Sequence, residues 1–283
     1  YVSYLAEEGF LTDISSKIYD IVDEYNISNK VMKGLNARGK TFGIPFVSST
    51  YCIFVNKSLF CRNYNYNPTS WEGIASISRN VAGTGPGGFG LAARQKEELT
   101  NQFLSILFAN DGEFTRINNE EGKKTLEVFE VMSKDGTFYS ESVNFSQRDL
   151  SMKFCEQEVI IMLNSSNQIP YVMKKGSDFE WEIIDIPSNK NDSRKSFFNN
   201  ESIVFVEGKD IDNSIRFAKY LLGEKQQIKI SLDYGGIPVN HELIDECLKY
   251  ENSIGELLFS KVKNISEINS YRLWPYISES IHN

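Results

Sequence analysis

The chain has 283 residues, and at roughly 150 residues per domain that length favours about two domains. Hydrophobic residues make up 41% and charged residues 24%, ordinary globular usage that excludes a disordered tail or a coiled coil. Thirty Lys+Arg against 38 Asp+Glu leave a net charge of −8, so no nucleic-acid partner is expected, because phosphate backbones need clustered cations.

The aromatic content of 13% exceeds what a core of this size needs, so some rings should face solvent or ligand. Cys52, Cys61, Cys155 and Cys247 form no C-x-x-C pair and read as buried free thiols. Cys52 and Cys61 end one strand-like run, and nine extended residues span about 30 Å, too far for a bridge. His241 and His282 both read as surface positions, so neither a metal centre nor a histidine-based catalytic dyad is expected, and no cofactor is implied. No run of 18 apolar residues occurs, so nothing in the sequence reads as a membrane span. Tyr1 opens in mid-pattern, without signal-peptide regions, and the chain reads as processed or excised.

In chain order, Ile14, Ile18, Ile21, Val22 and Tyr25 recur at helical spacing behind Asp13 and Ser15, which predicts an amphipathic helix over 13–25. Residues 42–60 predict a strand interrupted by a surface loop at Ser48-Ser49-Thr50. Pro68-Thr-Ser-Trp71 opens a helix to about Asn80 with Thr69 or Ser70 as its cap, and Phe89–Ala92 follows as a strand. Further helices are expected near 100–109, 119–134, 147–156 and 166–175. Strands are expected at Val159–Leu163, Trp181–Ile186 and Ser202–Val206, and the alternation is an α/β signature. From 210 onward the chain is expected to turn helical, with Ile211, Ile215, Phe217, Ala218, Leu221 and Leu222 on one face, until a break at Gly235-Gly236-Ile237-Pro238, after which several short helices finish the chain. The polar stretch 188–199 reads as a flexible loop separating two strands rather than two domains.

Two motifs carry little chemistry. Gly83-Thr-Gly85-Pro-Gly87-Gly88 contains G-x-G-x-x-G, but it precedes a strand instead of following one, and Pro86 removes an amide a phosphate cradle would use; it reads as a plain loop. The Glu-Glu pairs at 7–8, 97–98 and 120–121 read as helix-start carboxylates that favour the dipole.

A series of short patterns is more informative by its order. It runs Ala6-x-x-Gly9-Phe-Leu-x-Asp-Ile14; Gly43-Ile-Pro-Phe46 with Phe54-Val-Asn-Lys-Ser-Leu-Phe60; Pro68-Thr-Ser-Trp71-Glu72; Gly88-Phe-Gly-Leu91; and Asn110-Asp-Gly-Glu113. It continues through Phe154 to Val159-Ile-Ile-Met162, Trp181 to Pro187, Ile215-Arg-Phe-Ala-Lys-Tyr-Leu-Leu222 and Tyr234-Gly-Gly-Ile-Pro-Val239. Spanning nearly the whole chain, this order resembles the extracellular solute-binding proteins of ABC importers, in the carbohydrate-binding family that includes maltose-binding protein.

The resemblance implies an α/β, two-lobed periplasmic-binding-protein-like fold with a ligand cleft between the lobes. One lobe would take 1–92 with 207–260, the other 93–206 with 261–283. It also implies that the family's first strands, ahead of Gly9, and its last helices, beyond Trp274-Pro275, are missing. The implied function is capture of a sugar or oligosaccharide and delivery to ABC permease subunits, by a monomer outside the cell or in the periplasm, held by a lipid anchor in the full-length precursor. Lobe closure on the ligand would be the mechanism, with no bond made or broken.

Matched position by position, the expected ligand-binding residues are Ser49, Thr50, Asn101, Gln102, Asn164, Ser165, Asn200, Glu201, Tyr234, Arg272 and Trp274. Tyr234, Trp274 and the loop 164–166 are expected to line the deepest cleft. Such a set suits a neutral polyol: rings cover its C–H faces, and amides, hydroxyls and Arg meet its hydroxyls. Where the family often has a stacking Trp after Met162, this chain has Leu163-Asn-Ser-Ser166, which weakens the oligosaccharide expectation. Trp71 and Trp181 are assigned to packing. Two alternatives stand beside this reading. A sensor or accessory protein for a non-sugar solute would be told apart by neighbouring genes. A glycan-active enzyme would need two carboxylates about 5–10 Å apart, whereas only Glu201 is acidic among these residues.

Overall fold

The computed structural model describes residues 1–59, 68–81, 86–94, 96–134, 136–188, 196–208, 210–249, 265–266 and 272–283. The chain is α/β. Its first elements are α1 (Val2–Glu7), α2 (Ser15–Glu24), α3 (Asn29–Met32), β1 (Asn36–Ala37), β2 (Lys40–Thr41), β3 (Gly43–Asn56), α4 (Trp71–Val81), β4 (Gly87–Gly90), α5 (Glu97–Ala109) and α6 (Glu120–Lys134). They continue as α7 (Gln147–Cys155), β5 (Val159–Ser165), α8 (Ile169–Lys175), β6 (Trp181–Ile184), β7 (Ser196–Val204), α9 (Ile211–Leu222), α10 (Glu224–Tyr234), β8 (Ile237–Pro238), α11 (Leu243–Leu248), β9 (Ile265–Ser266) and α12 (Trp274–His282). Among the described residues no helix is long and apolar enough to cross a membrane, and no group of His, Cys, Asp or Glu is placed to hold a metal ion.

Two compact units share these elements: one holds the described residues of 1–49, 198–249 and 272–280, the other those of 50–197, 265–266 and 281–283. The chain therefore passes between units inside β3, at Ser49–Thr50, and inside β7, at Phe197–Phe198. The sequence reading differs at both places. It put 50–92 in the first lobe, but Tyr51–Val55 pair antiparallel with Ser165–Ile161 of β5, β4 runs parallel to β5, and Trp71 of α4 packs edge-to-face on Phe89. It put 198–206 in the second lobe, but Phe205 is buried among Ile14, Ile18, Ile21 and Ile215 of the first unit. The polar stretch 188–199, read as separating strands only, ends at this unit boundary; residues 189–195 of it lie outside the described residues.

In the first unit α2 and α9 supply the apolar faces their spacing predicts, Ile14, Ile18 and Ile21 against Ile215, Ala218 and Leu222. Asp210 caps α9 through the Asn213 amide, and Gly235 closes α10 at φ 65°. The hairpin β1–β2 turns through Arg38 and Gly39, both at positive φ, as a two-residue turn requires. Asp13 accepts from the Ser15 hydroxyl at 2.6 Å and the Ser15 amide at 2.9 Å; these bonds first, and Lys40 after them, hold its carboxyl down at about 2. A depressed carboxylate stabilises above its unfolded pKa and loses that contribution as pH falls through the folded one. Asp13→Asn should therefore flatten the fall in stability between about pH 4 and pH 2, measured by urea unfolding at each pH; an unchanged acid limb would refute the assignment.

In the second unit Phe54, Phe89 and Phe154 are fully buried, and the rings of Phe54 and Trp181 stack with centroids 6.0 Å apart. Trp71 and Trp181 thus pack as expected. The strand expected to break at Ser48-Ser49-Thr50 does not: β3 runs unbroken over Gly43–Asn56 with those three hydroxyl residues buried. Ser48 donates to Asn200 Oδ1 at 2.6 Å, while Thr50 donates from its hydroxyl to Phe197 O at 3.0 Å and from its amide to Ser166 Oγ at 3.2 Å. These satisfied bonds let polar residues sit in a buried strand. Cys52, Cys155 and Cys247 form no disulfide, and Cys61 lies outside the described residues, as do residues 83–85 of the glycine-rich motif.

Candidate functional site

Helix α1 ends in Glu7, with Glu8 as its C-cap, so the Glu7-Glu8 pair stands at a helix end and not at a start. Carboxylates there oppose the helix dipole and need cations. Arg38 Nη2 lies 3.2 Å from Glu7 Oε2, Arg272 Nε lies 3.3 Å from the same oxygen, and Arg272 Nη2 lies 3.9 Å from Glu8 Oε1. Around Arg272 the first unit has a cavity of about 590 Å³, lined by Tyr4, Glu8, Arg272, Leu273, Tyr276 and Ile277. Tyr4 and Tyr276 meet edge-to-face with centroids 6.5 Å apart, and Tyr276 remains 59% exposed. An open ring face, a guanidinium and a carboxylate together suit a ring bearing hydroxyls.

The other expected residues of this unit do not line this cavity. Ser49 is buried inside β3, and Asn200 accepts the Ser48 hydroxyl. Glu201 keeps an exposed edge, yet desolvation raises its carboxyl above the usual range. Tyr234 is exposed at the end of α10. Trp274, expected to face a ligand, is buried at 8% exposure.

In the second unit Asn101 and Ser165 lie against Tyr51, the residue after Thr50. The Tyr51 hydroxyl accepts from Gln147 Nε2 at 2.7 Å and also bonds the Asn101 side chain, and burial raises its pKa. Ser165 Oγ accepts from the Asn167 amide, at the start of a short 3₁₀ turn. Two expectations meet side chains already occupied. Gln102 Oε1 accepts from the Ala92 amide at 3.1 Å, and its Nε2 donates to Ala92 O at 2.9 Å and Glu98 O at 3.2 Å. Asn164 Nδ2 donates to Gln147 O at 2.9 Å and Ser151 Oγ at 3.1 Å, and its Oδ1 accepts from the Ser165 amide. Both are fully buried, so their amides hold backbone and neighbouring side chains in place.

Sequence reasoning missed Tyr4, Glu8 and Tyr276, and Tyr51 with Gln147. The i, i+4 spacings Tyr4–Glu8 and Arg272–Tyr276 were the available signal, since each places two side chains on one side of a helical turn. A larger concavity of about 1070 Å³ in the second unit is walled by Leu91, Leu99, Phe129, Phe138 and Val143, with Arg94 and Glu130 also lining it. No expected site residue lines it, although Ser133, Tyr139 and Ser140 add polar groups to its wall. His282, read as a surface residue, is half-buried beside it, with Nδ1 3.1 Å from Thr100 Oγ1.

The family model for bacterial extracellular solute-binding proteins matches residues 1–251. The chain belongs to that family. A putative binding protein of Brucella abortus strain 2308 is 20% identical over 215 residues, 72% of this chain and 52% of the relative, so the chain spans about half the length of the curated relatives it matches. Among solved structures, an ABC transporter solute-binding protein of Thermotoga lettingae TMO bound with α-D-tagatose superposes with a TM-score of 0.86 at 16% identity, covering all of this chain and 76% of that one. Maltose-bound MalE3 of T. maritima gives 0.84 at 14% identity, again covering all of this chain and 76% of the other. At these identities the likeness is one of fold, and the solute-binding protein shares the α/β fold of these two-lobed relatives.

Proposed function

We propose that this solute-binding protein captures a sugar, oligosaccharide or sugar alcohol and delivers it to the permease subunits of an ABC importer. It would act as a monomer outside the cell or in the periplasm, held there by a lipid anchor on its precursor. The observation that carries this reading is the family match across residues 1–251. The first unit's cavity supports it, with Tyr276 offering a ring face and Arg272 and Glu8 offering donors and acceptors. In the second unit Thr50, Asn101 and Ser165 are the residues proposed to face ligand, with Tyr51 and Gln147 holding Asn101 in place. In the first, Ser49, Asn200, Glu201 and Tyr234 complete the proposed set.

A thermal-shift screen over neutral sugars, sugar alcohols, amines and phosphate esters tests the reading. A ligand at about 100 times its Kd should add roughly 2.7 kcal/mol of stability, a shift of several degrees. Tyr276→Ala should then weaken that ligand by about 1–3 kcal/mol in calorimetry, with little change in melting, because its ring is largely solvent-exposed. A panel in which no carbohydrate shifts the melting temperature would end the proposal.

A further inference from the structure

The charged lining of the Arg272 pocket is one carboxylate, Glu8, and one guanidinium, Arg272. Arg38 and Arg272 face Glu7 and Glu8, so the guanidinium that lines the cavity is already neutralised by carboxylates of its own unit. Geometry adds to charge. A phosphate or carboxylate is held best by two parallel N–H donors on one edge of the guanidinium. On Arg272 the Nε–Nη2 edge is turned to Glu7 and Glu8, and the remaining edge shares Nη2 with Glu8. An anionic ligand reaching this arginine would lie within a few ångströms of two carboxylates, in a protein whose net charge is already −8. A neutral hydroxyl meets no such penalty. It can accept from the Nη1 or Nη2 protons and donate to the carboxylate of Glu8, whose side chain is 42% exposed and keeps free lone pairs.

We infer that Glu7 and Glu8 fix the ligand class of the Arg272 pocket: they hold the arginine for neutral hydroxyls and reject phosphorylated or otherwise anionic sugars. This rests on the solute-binding reading above. Glu8 lines the cavity and acts on the ligand directly, whereas Glu7, at 15% side-chain exposure, is a positioning residue that ties Arg272 to Arg38.

The test uses calorimetry on the whole chain with matched pairs, maltose and its monophosphate and D-tagatose and its monophosphate, at low and physiological ionic strength. The neutral member of any pair that binds should be favoured at least about tenfold over its phosphate ester, the scale of one like-charge contact near a protein surface. Glu8→Gln should shrink that ratio, Glu8→Lys should reverse it and make phosphate-ester binding strongly salt-dependent, and Glu8→Asp should restore it. A structural role for Glu8 would move both members together and leave the ratio unchanged. Equal or tighter binding of the phosphate ester by the unmodified protein overturns the inference while leaving solute binding intact. A neutral preference that Glu8→Gln and Glu8→Lys do not alter removes Glu8 as its cause. If neither pair binds and the neutral panel is also silent, the solute-binding reading falls and takes the inference with it.

Discussion

Phe54→Ala is expected to lower the unfolding free energy by about 3–5 kcal/mol, the largest stability loss anticipated for a single substitution here. Phe54 is fully buried in β3, opposite Met162 of β5 and Ile183 of β6. Its ring lies 6.1 Å from that of Phe154, edge-to-face, and stacks on Trp181. Removing it leaves a cavity walled by three elements that cannot collapse together without breaking the β3 pairings, so transfer and cavity costs add. Domains hold only about 5–15 kcal/mol in total, so the second unit should unfold at markedly lower urea. With two compact units the transition is best followed by a probe in the second, such as Trp181 fluorescence. A loss below about 1 kcal/mol would mean that Phe54 does not pack as described.

Trp274→Ala is expected to be nearly as damaging, at about 3–5 kcal/mol. Family resemblance points to a ligand-facing ring there, which would make the variant a binding mutant with ordinary stability. The structure buries the indole at 8% exposure at the head of α12, where Pro275 suits the first turn. The side chain thus anchors the segment carrying Arg272. The expected outcome is a melting temperature several degrees lower, with ligand affinity changed mainly through Arg272. Normal melting with lost binding would return Trp274 to the ligand's surface. Scanning calorimetry and titration on the same preparation separate the two.

What the sequence by itself determined was set by neighbours along the chain. Apolar spacing and local caps placed α2, α4, α7 and α9, because a helix is built from contacts three and four residues apart, and Ser70 and Asp210 cap the helices that follow them. The order of short patterns pointed to the family that the match over 1–251 establishes. Tertiary structure decided whatever depended on distant partners. Ser48, Ser49 and Thr50 look like a loop because hydroxyls favour water, and they lie in a buried strand only because partners including Asn200, Phe197 and Ser166 complete their hydrogen bonds. Glu7 and Glu8 look like helix-start carboxylates until Arg38 and Arg272, from far along the chain, reach them at the other end of α1. Trp274 has the chemistry of a ligand contact, but close packing encloses it, and that surrounding is not encoded by spacing along a single chain.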